Sequence, residues 1–423
     1  MWLQKLRLRS DSWGYSQAIG VATWFFVCTN VMRSTWSGDD WPNSQAPYLV
    51  LWRYGQISVH TVYTEAMYWN NQWMIGQGRF YPLSWIETRF AFSYLRSLWE
   101  YKLLESFMLF FSGILLIVLI YLLSSSRRIA IFVTFALPVF VQFRNDFDPH
   151  LAFGFMVESL LIKVEIACIF AYFAGKAISQ IKCIALSILS GIFLFAGCCT
   201  YEYAFLLIPL VLIMYWTGTS RTGVTLSMRE IIKRKSVGLS IIIIAWLGYA
   251  IYVFGFLRVK ATAISGAYVL SISWKSIIVF ISQFFAPIPL DNFSGRDLPG
   301  NGTGYGFSAL VGGLILISLY SYFIRMFNRV PEKDFVTYEN TSAIITKYEK
   351  IRIFLFGLTL VIAPSFMLAI QPIWWGRASI VHSYLGILLS EFGYVVLFAF
   401  AFDWWLTKNA IKVESILPRK RKK

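Results

Sequence analysis

Acidic side chains recur in the short segments that separate the hydrophobic runs of this chain. Asp39 and Asp40 form a pair in TWSGDDWPNSQ, directly after the first run, and Asp146 and Asp148 lie in FRNDFDPH. Glu202 follows the fifth run, in TYEYAF. A carboxylate within hydrogen-bond reach of a hydroxyl can accept its proton as a new bond forms. These segments are therefore candidates for general-base chemistry on a substrate that carries hydroxyl groups.

Cationic side chains fall in segments of the same kind. Arg79 lies in GQGRFYPL, and Arg377 and His382 lie in WWGRASIVHSY. A guanidinium fork suits a departing phosphate group. The 17 Trp residues offer flat faces on which sugar rings can pack. Carboxylates beside arginines and aromatic rings suit glycosyl transfer, and a polyprenyl-phosphate sugar that enters sideways from the bilayer is the expected donor.

Each candidate also has a structural interpretation. Asp40 precedes Trp-Pro and can cap a helix. The acids of FRNDFDPH can be turn residues, Glu202 can favour a helix dipole, and the arginines can anchor the chain at a membrane interface. Three charges lie inside the fourth hydrophobic run, where they mark either a site or a mutually neutralised cluster: Glu158, Lys163 and Glu165.

The composition predicts an all-α polytopic membrane protein. Hydrophobic residues make up 57% of the 423 residues and charged residues only 14%, against about 25% charged in soluble domains. The five cysteines lie in apolar runs and are expected in the core. About ten membrane helices are predicted, roughly at 17–32, 103–124, 129–143, 151–174, 183–199, 204–217, 237–256, 306–324, 353–370 and 385–406.

The basic residues predict the orientation. Most of the 38 Lys and Arg residues fall in the termini and in alternate loops, which places both termini in the cytoplasm. The net charge of +16 is spread along these loops, so it does not indicate a nucleic-acid partner. Two large loops, 33–102 and 257–305, then face outward, the first with short surface helices. We interpret 273–290 as an interfacial or re-entrant helix ended by its prolines.

The whole chain, 1–423, is predicted to be one integral membrane domain. No hydrophilic stretch reaches the ~100 residues that a separate domain usually needs. A nucleotide-sugar or ATP-binding domain is therefore not expected.

Three motifs resemble one family. DDW at 39–41, GRFYPL at 78–83 and TYEYAFLLIPL at 200–210 resemble the bacterial and phage O-antigen glucosyltransferases of serotype conversion, within the GT-C membrane glycosyltransferases. The resemblance implies that Asp39 or Asp40 is the essential first-loop acid. It implies that Arg79 is the arginine of the Gly-Arg motif and that Glu202 belongs to the Tyr-Glu motif. The segment WPNSQ after the acid pair departs from the family pattern, and the last outer loop has no match.

The resemblance also implies a setting. The enzyme would lie in a bacterial inner membrane and transfer a sugar, expected to be glucose, on the periplasmic side. The donor would be a polyprenyl-phosphate sugar supplied by an upstream synthase and a flippase, and the acceptor a lipid-linked glycan such as O-antigen. Some GT-C enzymes use a divalent cation, Mg or Mn. Whether one is bound here stays open; its expected ligands are Asp39, Asp40, Asp146 and Asp148.

The predicted mechanism is inverting transfer in one displacement. Asp40 is favoured as the base and Asp39 as its orienting neighbour. Arg377, and after it Arg79, would stabilise the leaving phosphate. Two other classes remain: an O-antigen polymerase or ligase that relies on arginines and His382 in a late loop, and a lipid or polysaccharide transporter or flippase.

Overall fold

The computed structural model describes nine parts of the chain: residues 17–36, 40–95, 97–143, 156–221, 228–262, 270–288, 347–372, 375 and 386–416. Every regular element within these parts is helical and none is a strand. The predicted all-α fold class is therefore confirmed for the described residues.

Five helices precede the long helices of the bundle. Helix α1, 17–28, runs into a 3-10 turn at Thr29–Arg33. The predicted surface loop then folds into α2 (Asp40–Asn43), α3 (Ala46–Tyr54), α4 (Val59–Gln77) and α5 (Pro82–Tyr94). The predicted helices in this loop are present, although α4, with 19 residues, is longer than expected; their location on a membrane surface stays a prediction.

Nine further helices follow along the chain. They are α6 (Leu98–Ser124), α7 (Arg127–Phe140), α8 (Met156–Lys176), α9 (Gln180–Thr200), α10 (Ile208–Ser220), α11 (Met228–Ala250), α12 (Trp274–Phe285), α13 (Lys347–Ala369) and α14 (Ile387–Ile416). A 3-10 turn at Glu202–Leu207 leads into α10, and π-helical turns at Ile251–Leu257 extend α11 to Arg258–Lys260.

Six helical segments of the described chain are long and apolar enough to cross a membrane, which supports a membrane protein. They are Leu98–Ser124, Gln180–Thr200, Glu202–Ser220, Lys235–Lys260, Tyr348–Ala369 and Ile387–Trp405. Each overlaps one of the ten predicted spans. The count of ten is not confirmed.

The other four predicted spans have different outcomes. In the predicted span 17–32, the α-helical part has 12 described residues. Helix α7, in the predicted span 129–143, has 14 residues. Both helices are shorter than the ~20 residues that a span needs. Helix α8 is long enough with 21 residues but carries Glu158, Lys163 and Glu165. The predicted helix at 306–324 lies outside the described residues.

Helix α12 is too short to span. Its 12 residues rise about 18 Å, against a hydrocarbon core of about 30 Å. Trp274, Ile277 and Ile281 on one face are exposed, while Ser276 and Gln283 are buried. Val279 is buried between them, so the side that faces the protein is mixed and the outward side is apolar, which fits the predicted interfacial or re-entrant helix.

Ion pairs and capping contacts define one end of the bundle, which we call the basic end. Arg221, after α10, donates to the carbonyl oxygen of Leu123 near the end of α6 (2.9 Å) and to Glu349 at the start of α13 (2.5 Å). Arg128 of α7 pairs with Asp403 of α14. Because α6 rises about 40 Å over its 27 residues, its first turn lies at the opposite end of the bundle.

The opposite end, which we call the motif end, holds Asp40, Arg79 and Glu202. Asp40 contacts Lys102 in the first turn of α6. Glu202 precedes α10, whose last residue adjoins Arg221 at the basic end. The three motifs that carry the family resemblance therefore lie at the same end of the bundle.

Candidate functional site

Asp40 is a buried carboxylate at the start of α2. Its side chain has no exposed surface. The Tyr101 hydroxyl donates to Oδ1 at 3.3 Å and the Lys102 ammonium donates to Oδ2 at 3.5 Å. Both contacts are long for hydrogen bonds. Asp40 is thus turned toward α6, and its carboxylate is held loosely.

A second carboxylate shares the same lysine. Lys102 donates to Glu105 Oε2 at 2.9 Å, and Lys102 and Glu105 both have no exposed surface. The Tyr101 ring stacks on Phe92 of α5, with 4.4 Å between the ring centroids. The cluster therefore ties α2, α5 and α6 together through buried polar groups.

The surroundings of Asp40 change its protonation. Burial raises the pKa of the Asp40 carboxyl well above its usual range, and the Glu105 carboxylate adds to the rise. The Lys102 ammonium and the Tyr101 hydroxyl lower this pKa and so oppose the shift. A carboxylate with a raised pKa is, in its deprotonated form, a stronger base than an ordinary aspartate.

Tyr101, Lys102 and Glu105 were not predicted as site residues. The available signal was the polar pair at spacing i and i+3 at the start of a very apolar helix. Burying such a group is costly without a partner, and here Asp40 from another segment is that partner.

Arg79 and Glu202 form the second part of the site. Arg79 Nε donates to Glu202 Oε1 at 3.2 Å, and both residues are buried. The Arg79 guanidinium lies 4.8 Å from the ring centroid of Tyr81 and 5.4 Å from that of Tyr201. The Gly-Arg and Tyr-Glu motifs, predicted as separate features, are therefore one ion pair with an aromatic surround.

Gly78 sets the position of Arg79. It ends α4 with φ +64°, a left-handed conformation that favours glycine. A Cβ atom at this position would lie 2.8 Å from the Cα of Arg258. The turn also follows Trp73 of α4, whose ring centroid lies 5.8 Å from the Arg79 guanidinium. The motif needs its glycine because both the backbone angle and the close neighbour exclude a side chain.

Helix α5 separates the two parts of the site. Arg79 and Tyr81 precede it, and Phe92 near its end packs on the Tyr101 that contacts Asp40. Its 13 residues rise about 20 Å. The Asp40 cluster and the Arg79–Glu202 pair are thus at the two ends of this helix.

The charges of α8 have different surroundings. Lys163 donates to Glu87 of α5 at 2.5 Å, so its partner is not one of the acids of its own helix. The carboxylates of Glu158 and Glu165 are buried without hydrogen-bond partners in the described chain. The alternative of a cluster neutralised among these three residues is therefore wrong. Glu165 lies among apolar side chains that include Leu161 and Leu210.

Several predicted site residues lie outside the described residues. They are Asp39, Asp146, Asp148, Arg377 and His382. The structural interpretation of Asp40 was that its carboxylate caps a helix. The observed contacts of this carboxylate are instead to Tyr101 and Lys102. The five cysteines are buried and not in disulfides, as expected for core residues.

The described residues contain no group of three or more His, Cys, Asp or Glu side chains that could hold a metal ion. Of the four residues named as possible ligands, the described chain includes only Asp40. Asp40 oxygens instead accept from Tyr101 and Lys102.

Comparisons with models of protein families, with curated proteins and with solved structures give no significant match.

Proposed function

We propose that this protein is a membrane glycosyltransferase of the GT-C type. It would transfer a sugar, expected to be glucose, from a polyprenyl-phosphate donor to a lipid-linked cell-surface glycan such as O-antigen. The observation that carries this proposal is the ion pair of Arg79 and Glu202, which joins two of the three resembling motifs at the end of the bundle that also holds Asp40. A carboxylate, an arginine and aromatic faces are the groups that sugar transfer from a phosphate requires.

In the proposed mechanism, Asp40 accepts the proton of the acceptor hydroxyl as that hydroxyl attacks the anomeric carbon. The bond from this carbon to the phosphate oxygen breaks, and the lipid phosphate leaves with the electron pair. Because Asp40 has no exposed surface, an acceptor hydroxyl would have to displace the Tyr101 hydroxyl, which lies 3.3 Å from Oδ1. Asp39 would orient the acceptor or the sugar, and Arg377 would stabilise the phosphate. Arg79, the second choice for this role, lies at the other end of α5 from Asp40, too far to contact a phosphate that leaves the same sugar.

The finer setting belongs to the same proposal. It includes about ten spans, a bacterial inner membrane, both termini in the cytoplasm and transfer on the periplasmic side. A donor synthase and a flippase would act upstream. A divalent cation at the first-loop acids stays an open part of the mechanism.

A transporter or flippase is the second candidate, and one observation favours it. Glu158 and Glu165 lie seven residues apart on α8, on the same face, and both carboxylates are buried without partners in the described chain. Intramembrane acids in such a setting are typical of proton relays. An O-antigen polymerase or ligase is a third possibility, which would depend on Arg377 and His382.

The deciding experiment follows radiolabelled sugar from a polyprenyl-phosphate donor to a lipid-linked acceptor in proteoliposomes. We expect transfer by the wild type and at least about a hundredfold less by Asp40→Asn, because a general base contributes about 10²–10⁴-fold. The Lys182→Met variant, which removes an exposed lysine near the start of α9, serves as the control and should retain transfer.

Contrary results would be equally clear. If Asp39→Asn and Asp40→Asn both transfer at the wild-type rate, the proposed mechanism is wrong. Movement of the donor lipid across the bilayer without transfer, abolished by Glu158→Gln, would identify a flippase.

A further inference from the structure

Arg89 is a buried arginine in the second half of α5, separate from the residues used above. Only 4% of its surface is exposed, and its Nε and Nη1 atoms are buried without an acceptor in the described chain. Its guanidinium lies 5.4 Å from the ring centroid of Trp85 and 5.8 Å from that of Trp69. Burial lowers the pKa of Arg89 and Glu65 raises it, but an arginine stays charged at neutral pH. A charged group with free donors is therefore buried beside two indole rings, which stack on each other with 6.0 Å between their centroids.

The neighbouring charges do not neutralise Arg89. Glu65 of α4 is fully buried, and its Oε2 accepts from Arg53 at 2.8 Å. Its Oε1 accepts from the indole N–H of Trp69, also at 2.8 Å. Both carboxylate oxygens thus have other donors, and two arginines share one glutamate. One further negative charge would balance this group.

Three more buried polar groups on the same helical hairpin have no partner in the described chain. They are the indole N–H of Trp85, the side-chain amide of Asn70 and the hydroxyl of Ser93. Trp85, Arg89 and Ser93 are spaced four residues apart, so they lie on one face of α5. Asn70 adjoins Trp69 on the buried face of α4. All of these groups can donate hydrogen bonds.

We propose that Arg89 and the indole N–H of Trp85 bind one phosphate-type oxyanion; together with the neighbouring Trp69, Asn70 and Ser93 we call them the Arg89 pocket. Water could satisfy the donors but not the excess positive charge. A tetrahedral oxyanion supplies several acceptor oxygens and the missing negative charge together, and a guanidinium matches its geometry. The pocket differs from the Arg79–Glu202 pair, in which the arginine already has a carboxylate.

The position of the hairpin suggests where such a phosphate would come from. Tyr48 and Trp52 of α3 and Tyr63 of α4 are exposed at the motif end. Exposed Trp and Tyr mark the level at which lipid headgroups lie. The shared chemistry is a phosphate monoester or inorganic phosphate, and its source is either a membrane lipid or solution.

The test uses the full chain purified in a phosphate-free maltoside detergent. Its unfolding temperature is followed during titration with inorganic phosphate and, separately, with phosphatidic acid in mixed micelles, with diacylglycerol as the neutral lipid. We expect a saturable rise in the wild type with at least one phosphate and none with diacylglycerol. A rise with phosphatidic acid alone assigns the site to lipid phosphate, and a rise with both assigns it to phosphate from either source.

Two variants separate the pocket from general charge effects. Arg89→Met should raise the apparent dissociation constant about ten- to a hundredfold, because charged hydrogen bonds are lost. Arg33→Met removes an exposed arginine at the same end and should leave binding unchanged. Should Arg89→Met fail to fold, Trp85→Phe serves in its place. It keeps an aromatic ring but loses the indole N–H, and it should still weaken binding severalfold.

The proposal is overturned if neither phosphate stabilises the wild type, in which case the donors are hydrated only. It is equally overturned if Arg89→Met, or Trp85→Phe in its place, binds as tightly as the wild type. Because the readout is binding, the result is independent of whether the protein transfers sugar.

Discussion

At the scale of single residues, the environment of Asp40 is unusual because it combines burial with loose contacts. The Lys102 ammonium lies between Asp40 and Glu105, closer to the second. Removing one partner from a buried ion pair typically costs about 3–5 kcal/mol, because the remaining charge is left without compensation. Lys102 therefore controls both the stability of this cluster and the charge of Asp40.

We predict that Lys102→Met shifts the pH dependence of sugar transfer. Asp40 acts as a base only when deprotonated, so its activity rises with pH through its pKa. This pKa is already raised by burial, and loss of the ammonium removes an interaction that lowers it. The acidic limb of the kcat/KM profile should therefore move to higher pH. Lys102→Arg, which keeps the charge, should restore the wild-type profile.

The exposed Lys275→Met variant serves as the matched control. An unchanged acidic limb in Lys102→Met would exclude Asp40 as the titrating base.

The sequence singled out motif residues but did not predict their contacts. Arg79 and Glu202 were named from local motifs, but their pairing joins residues 123 positions apart. A single sequence carries no information about such a contact. The Arg89 donors were missed for a different reason. Unsatisfied groups become evident only when α4 and α5 are packed together.

At the scale of elements, helix ends were predicted less well than helix cores. Helix α6 begins at Leu98 instead of 103, because Ser97 and Glu100 form a capping box before the apolar run. Helix α11 begins at Met228 and α14 continues to Ile416, so both pass beyond their apolar stretches. Hydropathy detects the part of a helix that suits a membrane, and polar turns extend the helix past it.

We predict opposite effects for alanine at two glycines that are two residues apart. Gly78→Ala should destabilise the protein, since a left-handed residue with a side chain costs about 1–2 kcal/mol and the new Cβ meets Arg258. Sugar transfer should fall together with stability, because Arg79 follows Gly78 directly.

Gly76 lies within α4, and its added Cβ would meet nothing within 4 Å. Gly76→Ala should therefore be neutral or stabilise by about 0.5–1 kcal/mol. Unfolding temperatures and transfer rates of both variants check this, and equal losses would contradict the role of Gly78.

At the scale of the whole molecule, the two ends of the bundle provide a test of orientation. The ion pairs of Arg128 and Arg221 lie at one end, and the three motifs lie at the other. The positive-inside rule places the basic end in the cytoplasm. The structure contains no membrane, so this orientation is a prediction for experiment.

We predict that single cysteines at the two ends react from opposite sides of the membrane. Tyr48→Cys, at an exposed position of α3, should react with a membrane-impermeant thiol reagent in spheroplasts. Lys182→Cys, at an exposed position near the start of α9, should react only after the membrane is broken. The five native cysteines are buried, so the wild type should show little background. The reverse labelling would place the motifs in the cytoplasm and remove the support for a periplasmic reaction.

Among the six candidate spans, Lys235–Lys260 packs least against the rest of the protein. Only 22% of its most apolar window is buried, against 50% to 61% in the other five. We expect lipid to be the main neighbour of this helix and acyl-chain length to influence its tilt. The helix extends to Lys260, and Arg258 near its end lies against Gly78. We therefore expect bilayer thickness to affect the turn that presents Arg79, so that a change of detergent or lipid alters more than the solubility of this protein.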